Sequence, residues 1–186
     1  MVSAVGWRPY ARVGEIGAYV LLVEWVRSLA SVAPHAAVPS LVLGGTALGL
    51  AAVGWRAQSL GLGGSRLALR IIGGFALGAV LLLPAAARAA AAPILPAGLA
   101  LPAVAISIGE ELAFRGALYA ALEELGGAPL AIAGSTVLWT LAHAFSHPVA
   151  FLGAVAAAGL VLALWRWACR DLVAPIIGHV IADLAL

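Results

Sequence analysis

Gly109-Glu110-Glu111-Leu112-Ala113-Phe114-Arg115-Gly116 is the stretch on which the reading of this chain turns. Two adjacent carboxylates and an arginine interrupt a segment, residues 94–122, that is otherwise almost wholly apolar and long enough to cross a bilayer. An ionisable group at that depth costs at least ~2.5 kcal/mol on insertion scales, so such groups are rare and mark functional sites by default. On a helix Glu111 and Arg115 are i,i+4 neighbours with the acid on the N-terminal side, the favourable order for an ion pair. Glu110, about 100° round the helix, is left without a local partner.

The residues around this stretch have a membrane composition. Of 186 residues, 64% are hydrophobic and 10% charged, with a mean hydropathy of +1.10, far outside the range of a soluble domain. The fold class expected is all-α, a polytopic membrane helical bundle of about seven transmembrane helices. They fall near 14–33, 36–54, 67–90, 94–122, 127–146, 149–168 and 172–186, divided by proline and glycine punctuation such as Pro34, Pro93 with Pro96, Gly126-Gly127 and Pro148. Small residues at Gly73-Gly74, Gly78 and from Ala154 to Gly159 suit close helix approach. All basic residues are arginine, which suggests a GC-rich bacterial coding sequence. Seven of them, Arg8, Arg12, Arg56, Arg66, Arg70, Arg166 and Arg170, fall on one side of this helix scheme, against Arg27 and Arg88 on the other. By the positive-inside rule the N-terminus is cytoplasmic, and the expected location is a bacterial inner membrane. With a net charge of only +2 the arginines read as orientation signals, so nucleic acid is not an expected partner. The single cysteine, Cys169, rules out an intrachain disulfide and a cysteine-based metal site. Arg8 and Arg12 ahead of an apolar run mimic a signal peptide, but Glu24 and Arg27 within that run point to a retained first helix, where the two can pair one turn apart.

Besides the cluster of Glu110, Glu111 and Arg115, the apolar segments hold three histidines and one aspartate: His143 and His147 in the fifth, and His179 with Asp183 in the seventh. His179 and Asp183 are i,i+4 and share a helix face. His143 and His147 have the same spacing, but Pro148 disfavours helical backbone at His147, so the pair is not expected to act together, and His147 reads as interfacial. At ~1.5 Å per residue, Glu110 lies roughly 18 Å, His143 about 24 Å and His179 about 10 Å from the cytoplasmic helix ends. Ordinary tilts let all three meet near mid-membrane.

These residues resemble the CPBP family, the CAAX-protease and bacteriocin-processing (Abi) intramembrane glutamic endopeptidases. Three motifs on separate helices carry the resemblance: Glu110-Glu111-Leu112-Ala113-Phe114-Arg115, Trp139-Thr140-Leu141-Ala142-His143 and His179-Val180-Ile181-Ala182-Asp183. Trp139 stands where phenylalanine is usual, and Asp183 where asparagine is common. The resemblance divides the chain into N-terminal helices of unassigned role, 1–93, and a catalytic membrane core, 94–186. It implies an endopeptidase acting within the membrane on a peptide or protein substrate, with catalytic residues Glu110, Glu111, Arg115, His143, His179 and Asp183. Glu110 with His143 would deprotonate a water, His179 and Asp183 would face the carbonyl oxygen, and Glu111 paired with Arg115 would fix the charge of the site. Asp183 fits this scheme either protonated or as an acceptor that orients His179, because an ionised carboxylate repels an oxyanion.

The favoured mechanism requires no cofactor. A competing one has zinc held by Glu110, His143, His179 and Asp183 and lowering the pKa of a bound water. Two further readings differ in class: a non-catalytic membrane partner or immunity protein on the same scaffold, and a small proton-coupled carrier. The carrier lacks paired broken helices in matching halves. Besides substrate, the lipid bilayer is the expected partner, and the sequence assigns no oligomeric state.

Overall fold

The computed structural model describes residues 8–64, 66–83 and 95–185, and these are helical, with no strand among them. Helices α1 (Arg8–Ser31), α2 (Ala37–Leu50) and α3 (Leu67–Leu81) precede a helical run from Ala97 to His143 that breaks at Gly126-Gly127. That run holds a short 3-10 turn, α4 (Ala100–Glu110), a π-helical segment (Glu111–Leu118) and α5 (Tyr119–His143). Helices α6 (Val149–Cys169) and α7 (Val173–Ala185) complete the bundle.

The fourth and fifth expected segments are separate helical arms, divided as expected where Gly126 (φ −148°, ψ 20°) and Gly127 (φ 74°) leave helical geometry just ahead of Pro129, and Trp139 on the second arm returns to within 2.8 Å of Glu110 on the first. The left-handed φ of Gly127 is one that a side chain would resist. The fifth segment ends at His143 instead of 146, because Pro148 fixes an extended backbone (ψ 149°) ahead of α6. By length and apolarity the run Ala97–His143 and α6 qualify as membrane spans, whereas α2, α3 and α7 are apolar but shorter.

Packing follows the small residues. Helix α2 lies on α4 with Gly45 against Gly109 so closely that a Cβ on either would overlap the backbone of the other helix. Helix α3 lies on α7 in the same way: a Cβ at Gly74 would come within 2.6 Å of Ile177 Cβ, and one at Gly178 within 2.7 Å of Leu77 Cβ. Such contacts are how apolar helices associate where no water is excluded between them. The core joins α1, α2, α4, the π segment, α5 and α6 through Val20, Leu48, Ile106, Phe114, Trp139 and Val155.

The distribution of polarity is inverted relative to a water-soluble protein. The largest fully buried side chains are Arg115 and Arg166, while Leu101 is 81% and Val149 83% exposed. Burying guanidinium groups while presenting leucine and valine outward suits a surface solvated by lipid. Among the described arginines counted on the cytoplasmic side, contacts draw one end of the bundle together: Arg12 lies 3.6 Å over the Trp55 ring, Arg166 donates to Ser59 O, and Arg70 pairs with Asp171. Arg27, counted on the opposite side, is instead nearly buried and paired with Glu24 at 2.6 Å, so it is no loop charge. Arg88 lies outside the described residues.

Candidate active site

Helix α4 delivers Glu110 at its last residue, and the backbone then widens into the π-helical segment that carries Glu111 and Arg115. A π-turn rotates successive residues less than an α-turn does, and such segments concentrate at functional sites. Here the widening leaves the Arg115 carbonyl to accept from Arg166 Nε at 3.3 Å. Within the segment Arg115 Nη1 donates to Glu111 Oε1 at 3.0 Å, both side chains being fully buried. The guanidinium carbon of Arg115 lies 4.0 Å from the Trp139 ring centroid, a cation–π contact. Glycine at 159 makes room for both, since a Cβ there would meet Trp139 Cε3 at 2.7 Å and Arg115 Nη2 at 3.2 Å.

Trp139, on α5, touches both members of the pair expected to handle water. Its indole N–H donates to Glu110 Oε2 at 2.8 Å, and its carbonyl oxygen lies 2.9 Å from His143 Nδ1. A carbonyl can only accept, so His143 carries its proton on Nδ1 and presents a bare Nε2. That Nε2 lies 3.8 Å from Glu110 Oε2, beyond a hydrogen bond. Phenylalanine at 139 would supply the ring without the donor to Glu110.

On the opposite wall, α7 places the His179 ring 5.6 Å from the Trp139 ring and nearly perpendicular to it. His179 Nδ1 lies 3.0 Å from Glu111 Oε1, and its Nε2 3.5 Å from Asp183 Oδ2. Since a carboxylate accepts, Nδ1 is the protonated nitrogen here too. Asp183 is one-third exposed, and its Oδ2 lies 2.7 Å from the hydroxyl of Ser107, a fully buried residue of α4.

The structure thus brings Glu110, Glu111, Arg115, His143, His179 and Asp183 together from α4, the π segment, α5 and α7. It also adds residues that the sequence reading missed. Ser107 is one turn before Glu111 and was legible as a polar residue in an apolar helix. Glu24 and Arg27 were read as a pair, but not as neighbours of the site: α1, which carries them, packs against the π segment and α5. His147 lies beyond the helix end and is exposed, with Nδ1 2.9 Å from Ser146 Oγ and its ring stacked on Phe151. Its ring is nevertheless 5.4 Å from that of His143, so the two do share a face, contrary to the expectation drawn from Pro148. The His147 N–H still reaches the His143 carbonyl at 2.9 Å, one more helix-like bond before the proline.

Among the described residues no three His, Cys, Asp or Glu side chains gather so that they could hold one metal ion. Of the residues named for zinc, Glu110 accepts from Trp139 and Asp183 lies against the Ser107 hydroxyl.

The family model for type II CAAX prenyl endopeptidase Rce1-like proteins matches residues 91–185. The chain belongs to this family. No curated protein and no solved structure matches it. The Rce1-like match begins just ahead of α4 and takes in every site residue except Glu24 and Arg27, which come from the unmatched half of the chain. Membership makes the chain a membrane-embedded protease whose substrate is a peptide.

Proposed function

We propose that this chain is an intramembrane endopeptidase that cleaves a peptide bond beside or within the bilayer by means of a water activated by Glu110 and His143. One observation carries the reading: Trp139 orients both groups, through its indole N–H and its carbonyl oxygen, and leaves Glu110 Oε2 and His143 Nε2 facing each other across 3.8 Å. A water oxygen between them can donate one hydrogen to the carboxylate and the other to the bare Nε2. Glu110 takes a proton as the oxygen attacks the carbonyl carbon, and that proton passes to the departing amide nitrogen. The oxyanion faces His179, whose Nε2 donates once the ring is an imidazolium, with Glu111 and Asp183 flanking it as countercharges. Glu111 and Arg115 hold His179 and the π segment and do not touch the reacting atoms.

In this reading seven helical stretches cross a bacterial inner membrane, with the N-terminus and the arginine-rich end cytoplasmic. The substrate is a peptide or protein cut near a membrane segment.

The experiment is cleavage, in native-like membranes, of a candidate membrane peptide encoded beside this gene. Wild type is compared with Glu110→Ala, His143→Ala and His179→Ala, with and without a zinc chelator. Cleavage by wild type in both conditions, abolished in all three folded variants, is the expected result. Loss with chelator would reinstate a metal. Variants that cleave like wild type would make the cluster structural and return the non-catalytic partner reading.

A further inference from the structure

We propose that a cavity at the arginine-rich end of the bundle, between α3, α6 and α7, is a binding site for a phosphate group, and that the group is the headgroup phosphate of an anionic membrane lipid. The cavity has a volume of about 240 Å³ and is lined by Arg66, Arg70 and Arg170 with Gln58, Cys169 and Asp171. The three guanidinium groups meet two carboxylates, Asp171 in the lining and Glu123 paired with Arg170, so one positive charge, that of Arg66, is left in surplus. Asp171 does not offset it freely. Its two oxygens accept from Arg70 Nε at 2.9 Å and from the backbone N–H of Ala174 at 2.9 Å, the latter a cap on α7.

The other two arginines keep donors in reserve. Arg66 uses Nη1 on the Cys169 carbonyl at 3.2 Å, and Arg170 uses Nη1 on Glu123 at 3.0 Å. Each contact steadies the guanidinium and leaves further N–H groups, in the planar fork that matches phosphate oxygens. Arg66 also stands at the N-cap of α3, which has no side-chain cap and no acid in its first turn. A cation there opposes the helix dipole, and a bound anion would correct it.

Arg170 is independently unusual. It closes α6 in the left-handed conformation (φ 52°), at a position where glycine is ordinary and other residues carry strain.

The lipid assignment comes from what lies next to the cavity. Continuing along α3 from Arg66 and Arg70, Leu67, Ile71 and Phe75 recur every four residues and are 69%, 43% and 63% exposed. Trp167 on α6, close in sequence to Arg170, is 48% exposed. A phosphate in the cavity can therefore stay attached to acyl chains that run along this ridge. Basic pockets between membrane helices on the cytoplasmic side bind lipid headgroups in this manner. The proposal is independent of the proteolytic reading, since none of these residues is in the candidate active site.

The test uses the full-length protein in zwitterionic phosphatidylcholine nanodiscs, titrated with phosphatidylglycerol, with more phosphatidylcholine, or with inorganic phosphate. Retained lipid is counted by native mass spectrometry and stability is followed by thermal unfolding. Phosphatidylglycerol should be retained and raise the unfolding temperature, phosphatidylcholine should not, and Arg66→Gln combined with Arg170→Gly should weaken retention about tenfold or more. Glycine at 170 relieves the left-handed strain, so the variant should fold at least as well as wild type in phosphatidylcholine. Equal retention of the two lipids, or undiminished phosphatidylglycerol retention by the folded variant, would overturn the site. An effect of inorganic phosphate equal to that of the lipid would overturn the lipid assignment in favour of a soluble anion.

Discussion

Trp139 links the two groups of the proposed water site through different parts of itself, and they can be separated experimentally. Trp139→Phe keeps the ring that packs against Arg115 and both histidines but removes the donor to Glu110. A hydrogen bond to a charged group is worth ~1.5–3 kcal/mol, so kcat should fall about ten- to a hundredfold with little change in unfolding temperature. Unchanged kcat in the peptide-cleavage assay would remove Trp139 from the mechanism. At Arg115 the expectation concerns stability. Arg115→Met leaves Glu111 buried without its cation and should cost ~3–5 kcal/mol, most of it recovered in Glu111→Gln/Arg115→Met and read by unfolding in detergent. The site's six ionisable residues were legible because each is a costly exception within an apolar segment. Ser107 was visible only as a polar residue and Trp139 only as an aromatic one, since serine and tryptophan are ordinary in membrane helices and only the fold reveals which carboxylate each meets.

Among the elements, the π-helical segment is the one with no sequence signature. Glu111 and Arg115 are i,i+4 in either geometry, so the pair gave no hint that the backbone between them is widened. What spacing did foretell was the glycine punctuation: the break at Gly126-Gly127 ahead of Pro129, and the close approach of α3 at Gly73, Gly74 and Gly78. The contact of Gly45 with Gly109 was not foretold, because it depends on which helices become neighbours. It places the backbone of α2 against α4 one residue before Glu110. Gly45→Ala should therefore destabilise by at least ~1–3 kcal/mol and lower cleavage more than its stability loss explains, when unfolding and kcat/KM are measured on the same preparation. A silent substitution would mean that α2 and α4 can slide apart at no cost.

At the scale of the whole molecule, the half of the chain outside the Rce1-like match packs against the site through α1, which carries the buried pair Glu24 and Arg27. Arg27 fits because Gly44 leaves space for its stem, and a Cβ there would come 2.6 Å from Arg27 Cδ. Arg27→Met should destabilise by ~3–5 kcal/mol by stranding Glu24, and Glu24→Gln/Arg27→Met should restore folding. If the pair also shapes the field around Glu110, the stable double variant will still cleave more slowly than wild type; full activity would confine the pair to packing. The sequence disclosed the pair and the inverted polarity of the bundle, but not this convergence, which arises from tertiary packing of α1 against α5.

Helix α2, at 14 residues and bounded by turns on both sides, is ~20 Å long, against a hydrocarbon thickness of ~30 Å. A helix too short to span gains nothing by tilting, and with α2 held on α4 by the Gly45–Gly109 contact the lipid beside it would thin to meet it. The bilayer would be pinched beside Glu110, and the water that proteolysis consumes would have a shorter path from the aqueous phase. Cleavage should then respond to acyl-chain length, running faster in thin bilayers than in thick ones, as though the membrane itself were part of the enzyme's entrance.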